Sequence, residues 1–165
     1  MKHIAAFVVA LSLLSACGKQ EALPPALTSA PGGSGASGAR PEKLSNGEPS
    51  VITLKHVLIA FAGAKDSSQT RTRAEAEKLA FDVVNRAKGG EDFDKMMKDY
   101  SNDPGDGTYT LVNAGIQEAQ GESRRDQMVP AFGNVGFRIG VGEVGLADYD
   151  PKSSPYGLHV IKRVK

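Results

Sequence analysis

The sequence predicts an α+β domain over residues 51–165, with elements in the order β-α-α-β-α-β-β and an antiparallel sheet. Three observations predict it. Two apolar, β-branched runs stand at its ends, Ile52 to Phe61 and Tyr156 to Val164, and each carries one histidine, His56 and His159. Between them Ala76, Leu79, Ala80, Val83, Val84 and Ala87 recur at the 3-and-4 spacing of an amphipathic helix. Clusters of Pro, Gly, Asn and Asp then separate shorter apolar stretches.

The first strand is bounded by Pro49-Ser50 and by Gly63, and a polar loop from Lys65 to Thr70 follows it. Thr72-Arg73-Ala74-Glu75 has the spacing of a capping box, so the first helix starts there, and Gly89-Gly90 ends it. Arg71 and Arg73, near a helix start and beside glutamates, read as solvated charge. A second helix spans about Asp92 to Tyr100, with Phe93, Met96, Met97 and Tyr100 on one face. Ser101 to Gly107 is dense turn chemistry, and Thr108 to Val112 is a short strand. Asn113 to Gln127 is polar and without periodicity, which reads as an inserted surface loop. Met128-Val129-Pro130-Ala131-Phe132 opens a third helical segment that reaches about Phe137. A glycine turn leads into a strand from Val144 to Ala147, another turn covers Asp148 to Pro155, and the second histidine strand closes the domain.

Charge excludes several functions. The chain carries a net charge of +1, and residues 51–165 hold 16 basic and 16 acidic side chains. That leaves neither the electrostatic footprint of a nucleic-acid binder nor a polybasic membrane patch. The single cysteine, Cys17, excludes an intrachain disulfide and any cysteine cluster for zinc or iron–sulfur. His56, His159 and Asp103 offer three zinc-compatible ligands without an evident fourth, so no metal is expected.

The first residues read as an address. Met1-Lys2-His3 is a short basic start, and the apolar run from Ile4 to Leu14 is too short to span a bilayer. Leu14-Ser15-Ala16-Cys17 resembles the lipobox of bacterial lipoproteins. The resemblance implies removal of residues 1–16 and acylation of Cys17; an ordinary cleavage site is the alternative. Several acyl chains on one residue suffice for stable anchoring. Gly18, where inner-membrane lipoproteins of Gram-negative bacteria carry aspartate, favours the outer membrane facing the periplasm by the same resemblance. From Cys17 to residue 50 the chain is rich in Pro, Gly, Ser and Ala, the composition of a flexible tether with a reach of roughly 30 Å.

Five pieces then stand in one order: Lys55-His56-Val57-Leu58-Ile59, Phe93 to Ser101, Met128-Val129-Pro130-Ala131-Phe132, Gly142-Glu143-Val144, and Tyr156-Gly157-Leu158-His159-Val160-Ile161. In that order they resemble the parvulin-type peptidyl-prolyl cis–trans isomerases, from Ile52 to Val164. The resemblance implies a four-stranded antiparallel sheet surrounded by helices, with the two histidine strands as central neighbours. It implies that His56, His159 and Asp103 form the catalytic floor. Met128 and Phe132 would hold the proline ring, Phe137 would line or support that apolar pocket, and Tyr109, where the family often has leucine, would close it. It implies no cofactor, and partners that are unfolded or proline-containing exported polypeptides. A non-catalytic chaperone or peptide-binding module on the same fold is the alternative. The stretch 113–127 is longer than the family usually shows, and Pro104 directly follows Asp103.

Overall fold

Parity along two neighbouring strands decides which side of the sheet each residue faces. A computed structural model describes residues 39–165; the expected signal, Cys17 and the tether up to residue 38 lie outside the described residues. Strand β1 (Val51–Ile59) pairs antiparallel with β5 (Leu158–Arg163), with Leu58 opposite His159 and His56 opposite Ile161. Residues directly opposite one another share a face, and alternate residues along a strand do too. His56, Leu58, His159 and Ile161 therefore face one way, with Ile52 and Leu54. Val57, Ile59, Leu158 and Val160 face the other.

Each face buries its own core. Val57, Ile59, Leu158 and Val160 pack against α1 (Arg73–Lys88) and α2 (Phe93–Tyr100), which supply Ala76, Ala80, Val83, Phe93 and Met96. Ile52, Leu54 and Ile161 pack against α3 (Pro130–Arg138) through Phe132 and Phe137. Ile52, Leu54, Val57, Ile59, Val160 and Ile161 are completely inaccessible to solvent. Each such side chain contributes roughly 1.5–3 kcal/mol relative to exposure. A one-residue slip would send the histidines to the α1 side, so burial on both faces fixes the register.

Local signals explain the helices. Thr72 caps α1 reciprocally: its Oγ1 accepts from the Glu75 amide at 3.3 Å, and the Glu75 carboxylate accepts from the Thr72 amide at 2.7 Å. Asp92 caps α2 by accepting from the Asp94 and Lys95 amides. Pro130 begins α3, where its missing N–H costs nothing.

Two expectations need correction. The sheet has five strands in the order β3-β2-β1-β5-β4, where β2 is Thr108–Val112, β3 is Glu122–Arg124 and β4 is Val144–Ala147. The β2–β3 pairing is parallel, so the sheet is mixed and not four-stranded antiparallel. The stretch expected as a surface loop thus contains a strand, followed by a 3-10 turn at Arg125–Gln127. Glu-Ser-Arg has no apolar alternation, so nothing in its periodicity marks it.

The second correction concerns the end of the tether. Residues 40–50 are folded onto the domain: the Ser50 amide donates to the Glu42 carbonyl, Lys43 bridges Pro49, and Arg40 pairs with Glu122 at 2.8 Å. Side-chain partners far along the chain order this arm, which composition alone does not reveal.

Helix α3 approaches β1 closely at Gly136, where a Cβ would collide with the Leu54 side chain and press on Ile52. Gly136→Ala should therefore destabilise the domain by ~1–3 kcal/mol in urea unfolding. An unchanged midpoint would contradict this close approach.

Candidate active site

His56 and His159 come from adjacent strands onto the α3 face and are almost wholly buried, at 4% and 5% exposure. Because His159 is opposite Leu58, the two rings meet on a diagonal. They lie nearly parallel with centroids 5.3 Å apart, and their Nδ1 atoms are 3.2 Å from each other. Neither histidine position is an accident of loop placement; both follow from the β1–β5 register.

Asp103 reaches the pair because its loop takes over the edge of β1. Strand β2 pairs with β1 only as far as Lys55. Beyond that, the His56 amide donates to the Gly107 carbonyl at 2.9 Å and the Leu58 amide to Ser101 Oγ at 3.1 Å. The Asn102 amide donates to the Leu58 carbonyl, and Asn102 Oδ1 accepts from the Ala60 amide. Gly107 lies at φ +70°, and a Cβ there would meet the His56 carbonyl at 3.0 Å, so glycine is required. Held this way, Asp103 Oδ2 sits 2.7 Å from His56 Nε2.

Tyr109 joins the same oxygen. It is opposite Leu54 in β2 and so faces the histidines, and its hydroxyl donates to Asp103 Oδ2 at 2.9 Å. A leucine at this position could not make that bond. The His56 contact first, and the Tyr109 hydroxyl with it, outweigh partial burial and hold the Asp103 carboxyl down at about 2. Burial, and next the carboxylate, push the Tyr109 phenol up to about 12. The ionised carboxylate only accepts, so His56 Nε2 carries a hydrogen. Burial, and next the neighbouring His56, press the His159 ring down to about 3, which keeps it neutral. One hydrogen occupies the contact between the two Nδ1 atoms, and His159 Nε2 has no hydrogen-bond partner among the described residues.

Phe132 roofs this chain of polar groups. Its ring meets His56, His159 and Tyr109 edge-to-face at centroid distances of 5.0, 5.5 and 5.8 Å. With only 1% exposure it is as much core as groove. Beside it a cleft of about 470 Å³ is lined by both histidines, Asp103, Tyr109, Met128 and Phe132. That volume suits a short peptide segment. Phe137 does not line this cleft; it lies farther along α3, under the Arg125 guanidinium at 4.7 Å. Among the described residues, no cluster of three or more His, Cys, Asp or Glu side chains converges as metal ligands would.

Part of the cleft lining carries no sequence motif. Lys65 to Gln69 line the cleft, as does Tyr156. The Lys65 amide donates to the Pro155 carbonyl at 2.9 Å, and the Lys65 ammonium stands over the Tyr156 ring at 4.9 Å. No local pattern links these positions. Arg71 is not the solvated charge expected of it: it donates to the Ala60 carbonyl and to Asn102 Oδ1, tying the start of α1 to the site loop. Arg73 does behave as expected, pairing on the surface with Glu77.

A buried histidine pair thus lies at a cleft on a mixed sheet covered by helices on both faces, an α+β fold. The family model described as the PPIC-type PPIASE domain matches residues 42–165. The chain belongs to that family. It is 37% identical over 112 residues to the foldase protein PrsA of Caldanaerobacter subterraneus, covering 68% of this chain and 28% of that protein. It is 37% identical over 86 residues to PrsA of Geobacillus kaustophilus, covering 52% and 27%. It is 32% identical over 109 residues to the chaperone SurA of Chromohalobacter salexigens, covering 66% and 21%. The chain thus spans between a fifth and somewhat over a quarter of these relatives' lengths. Among solved structures, the peptidyl-prolyl isomerase ESS1 from Candida albicans has the same fold, with a TM-score of 0.55 at 19% identity, covering 72% of this chain and 67% of that one.

The site has a stability signature. A His159 held near 3 in the folded chain and at 6.5 when unfolded makes the unfolded state bind more protons below pH 6.5. Stability is therefore full above that pH and falls as pH drops toward 3. The unfolding midpoint should decline from pH 6.5 to about 5, above the ordinary carboxylate range, and His159→Leu should flatten this decline. Equal slopes in the two proteins would refute it.

Proposed function

We propose that the chain accelerates cis–trans isomerisation of X–Pro bonds in exported polypeptides as they fold. The observation that carries this reading is the His159–His56–Asp103 chain roofed by Phe132 at the floor of a cleft of peptide size. Rotation about an X–Pro bond is slow because it breaks amide resonance, with a barrier near ~20 kcal/mol. No covalent bond needs to form. The protein has only to bind the twisted amide better than either planar form.

The residues divide that task. Twisting removes polarity from the carbonyl and pyramidalises the proline nitrogen, so an apolar socket favours the twisted state; Phe132 and Met128 supply it. The polar floor is fixed in advance: Asp103 holds His56 Nε2–H, His56 and His159 hold each other, and Tyr109 holds Asp103. Such a floor needs no reorganisation as the carbonyl turns. In this reading the histidines orient and polarise, and neither acts as a general base. Phe137 supports the socket from the core without touching the substrate.

The test is isomerisation of short peptides with varied residues before proline. The wild-type chain should accelerate it, and a folded His56→Ala/His159→Ala variant should lose at least about tenfold in kcat/KM. Acceleration that survives in the folded double variant would remove the histidines from the mechanism. The SurA relatives, which are named chaperones, support a second reading in which the groove only holds clients. Equal binding of proline-containing and proline-free peptides without acceleration would establish that reading instead.

The place of action forms part of the proposal. Acylated Cys17 would hold the domain at the cell envelope, on the outer membrane facing the periplasm in a Gram-negative cell. The lipobox-like Leu14-Ser15-Ala16-Cys17 supports this. Residues 40–50 belong to the folded part, so the tether expected from composition would end before them. Cys17→Ala should leave the chain unprocessed and without incorporated labelled palmitate in a bacterial host. Processing and labelling unchanged from wild type would sink the anchor.

A further inference from the structure

One wall of the groove has no regular structure of its own. Gln127, the last residue of the 3-10 turn, lines the cleft together with Met128 and Val129, which lie between that turn and α3. Their backbone anchorage to the turn includes the Met128 amide donating to the Arg125 carbonyl at 3.2 Å. The Gln127 side chain accepts from the Arg124 amide within the turn, and the Arg125 side chain ties the turn to the rest of the fold. Its Nη1 donates to Glu48 Oε2 at 2.9 Å and to Asn113 Oδ1 at 3.1 Å, and its Nη2 donates to Asn134 Oδ1 at 2.9 Å. The guanidinium lies over the Phe137 ring, and its stem lies so close to Gly133 that a Cβ there would meet Arg125 Cγ at 3.2 Å.

One planar group therefore joins the arm before β1, the end of β2 and helix α3. Glu48 is itself oriented by Asn113 Nδ2 at 3.0 Å and Asn46 Nδ2 at 3.1 Å. The Arg125 and Glu48 side chains are 23% and 34% exposed, so this pair is less screened than a fully solvated one. A lysine could reach one acceptor but not fork to three.

We propose that Arg125 is a positioning residue for the groove: it transmits docking of the arm, residues 40–50, to Met128 and Val129. The proline socket then depends on chain that precedes the first strand. This rests on the peptide-groove reading above, and its test is arranged to stand apart from catalysis. In the full chain, Arg125→Met keeps a stem against Gly133 and removes every donor, while Arg125→Lys returns the charge without the fork. The readouts are the Met128 methyl signal in methyl-labelled protein, the Kd of an Ala-Pro peptide, and KM against kcat.

Arg125→Met should shift the Met128 signal and raise Kd and KM by about fivefold to tenfold with kcat within about twofold. Arg125→Lys should recover part of the loss. A folded Arg125→Met with parental Kd and an unmoved Met128 signal would overturn the proposal. So would a fall in kcat alone with parental KM. If Arg125→Met does not fold, Asn134→Ala removes one exposed acceptor and should move the same readouts the same way by less; no movement there would also overturn it. If the chain proves inert as an isomerase, the peptide Kd and the methyl signal still decide the role of Arg125.

Discussion

The register between β1 and β5 is the constraint on which the rest of this structure depends. Leu58 opposite His159 puts His56 and His159 on one face and within hydrogen-bond distance across a diagonal. The same register sorts the aliphatic residues into two cores, one under α1 and α2 and one under α3. Site and core are therefore not separable here. The burial energy that fixes the strands also sets the distance between the two rings.

Two buried imidazoles are costly unless their polar atoms are paired, and the fold supplies most of the partners. Asp103 is brought in by a loop that mimics a strand, satisfying β1 from His56 to Ala60 where β2 has turned away. The carboxylate stays ionised because His56 and Tyr109 both donate to one of its oxygens. His159 stays neutral because it is almost out of solvent and next because His56 lies beside it. The result is a polar chain with a settled charge pattern beneath an aromatic roof. That arrangement suits a reaction in which an amide loses polarity and no proton changes hands.

The segments that the sequence did not mark as structure join one another. Strand β3, the 3-10 turn and the arm before β1 form a connected layer through the Arg40–Glu122 and Arg125–Glu48 pairs. What reads in sequence as an insertion and a linker is an edge of the sheet with its own support. An edge strand of three residues, with charged side chains and a parallel partner, also offers little template for unwanted pairing.

The sequence by itself determined the elements whose signal is local. The capping box at Thr72, the stripe from Ala76 to Ala87 and the two β-branched histidine runs each specify their structure within a few turns or a few residues. The motif order pointed to the family and to His56, His159, Asp103, Met128 and Phe132 as candidates, which the fold brings to one cleft. Tertiary structure alone decided what depends on partners far along the chain. It placed Tyr109 on Asp103, took Phe137 out of the cleft and brought Lys65 against Tyr156. It also folded the arm, and it made Glu-Ser-Arg a strand. The physical reason is range: periodicity and capping are properties of neighbouring residues, whereas a parallel edge pairing or an arginine fork exists only once the sheet has brought its acceptors together.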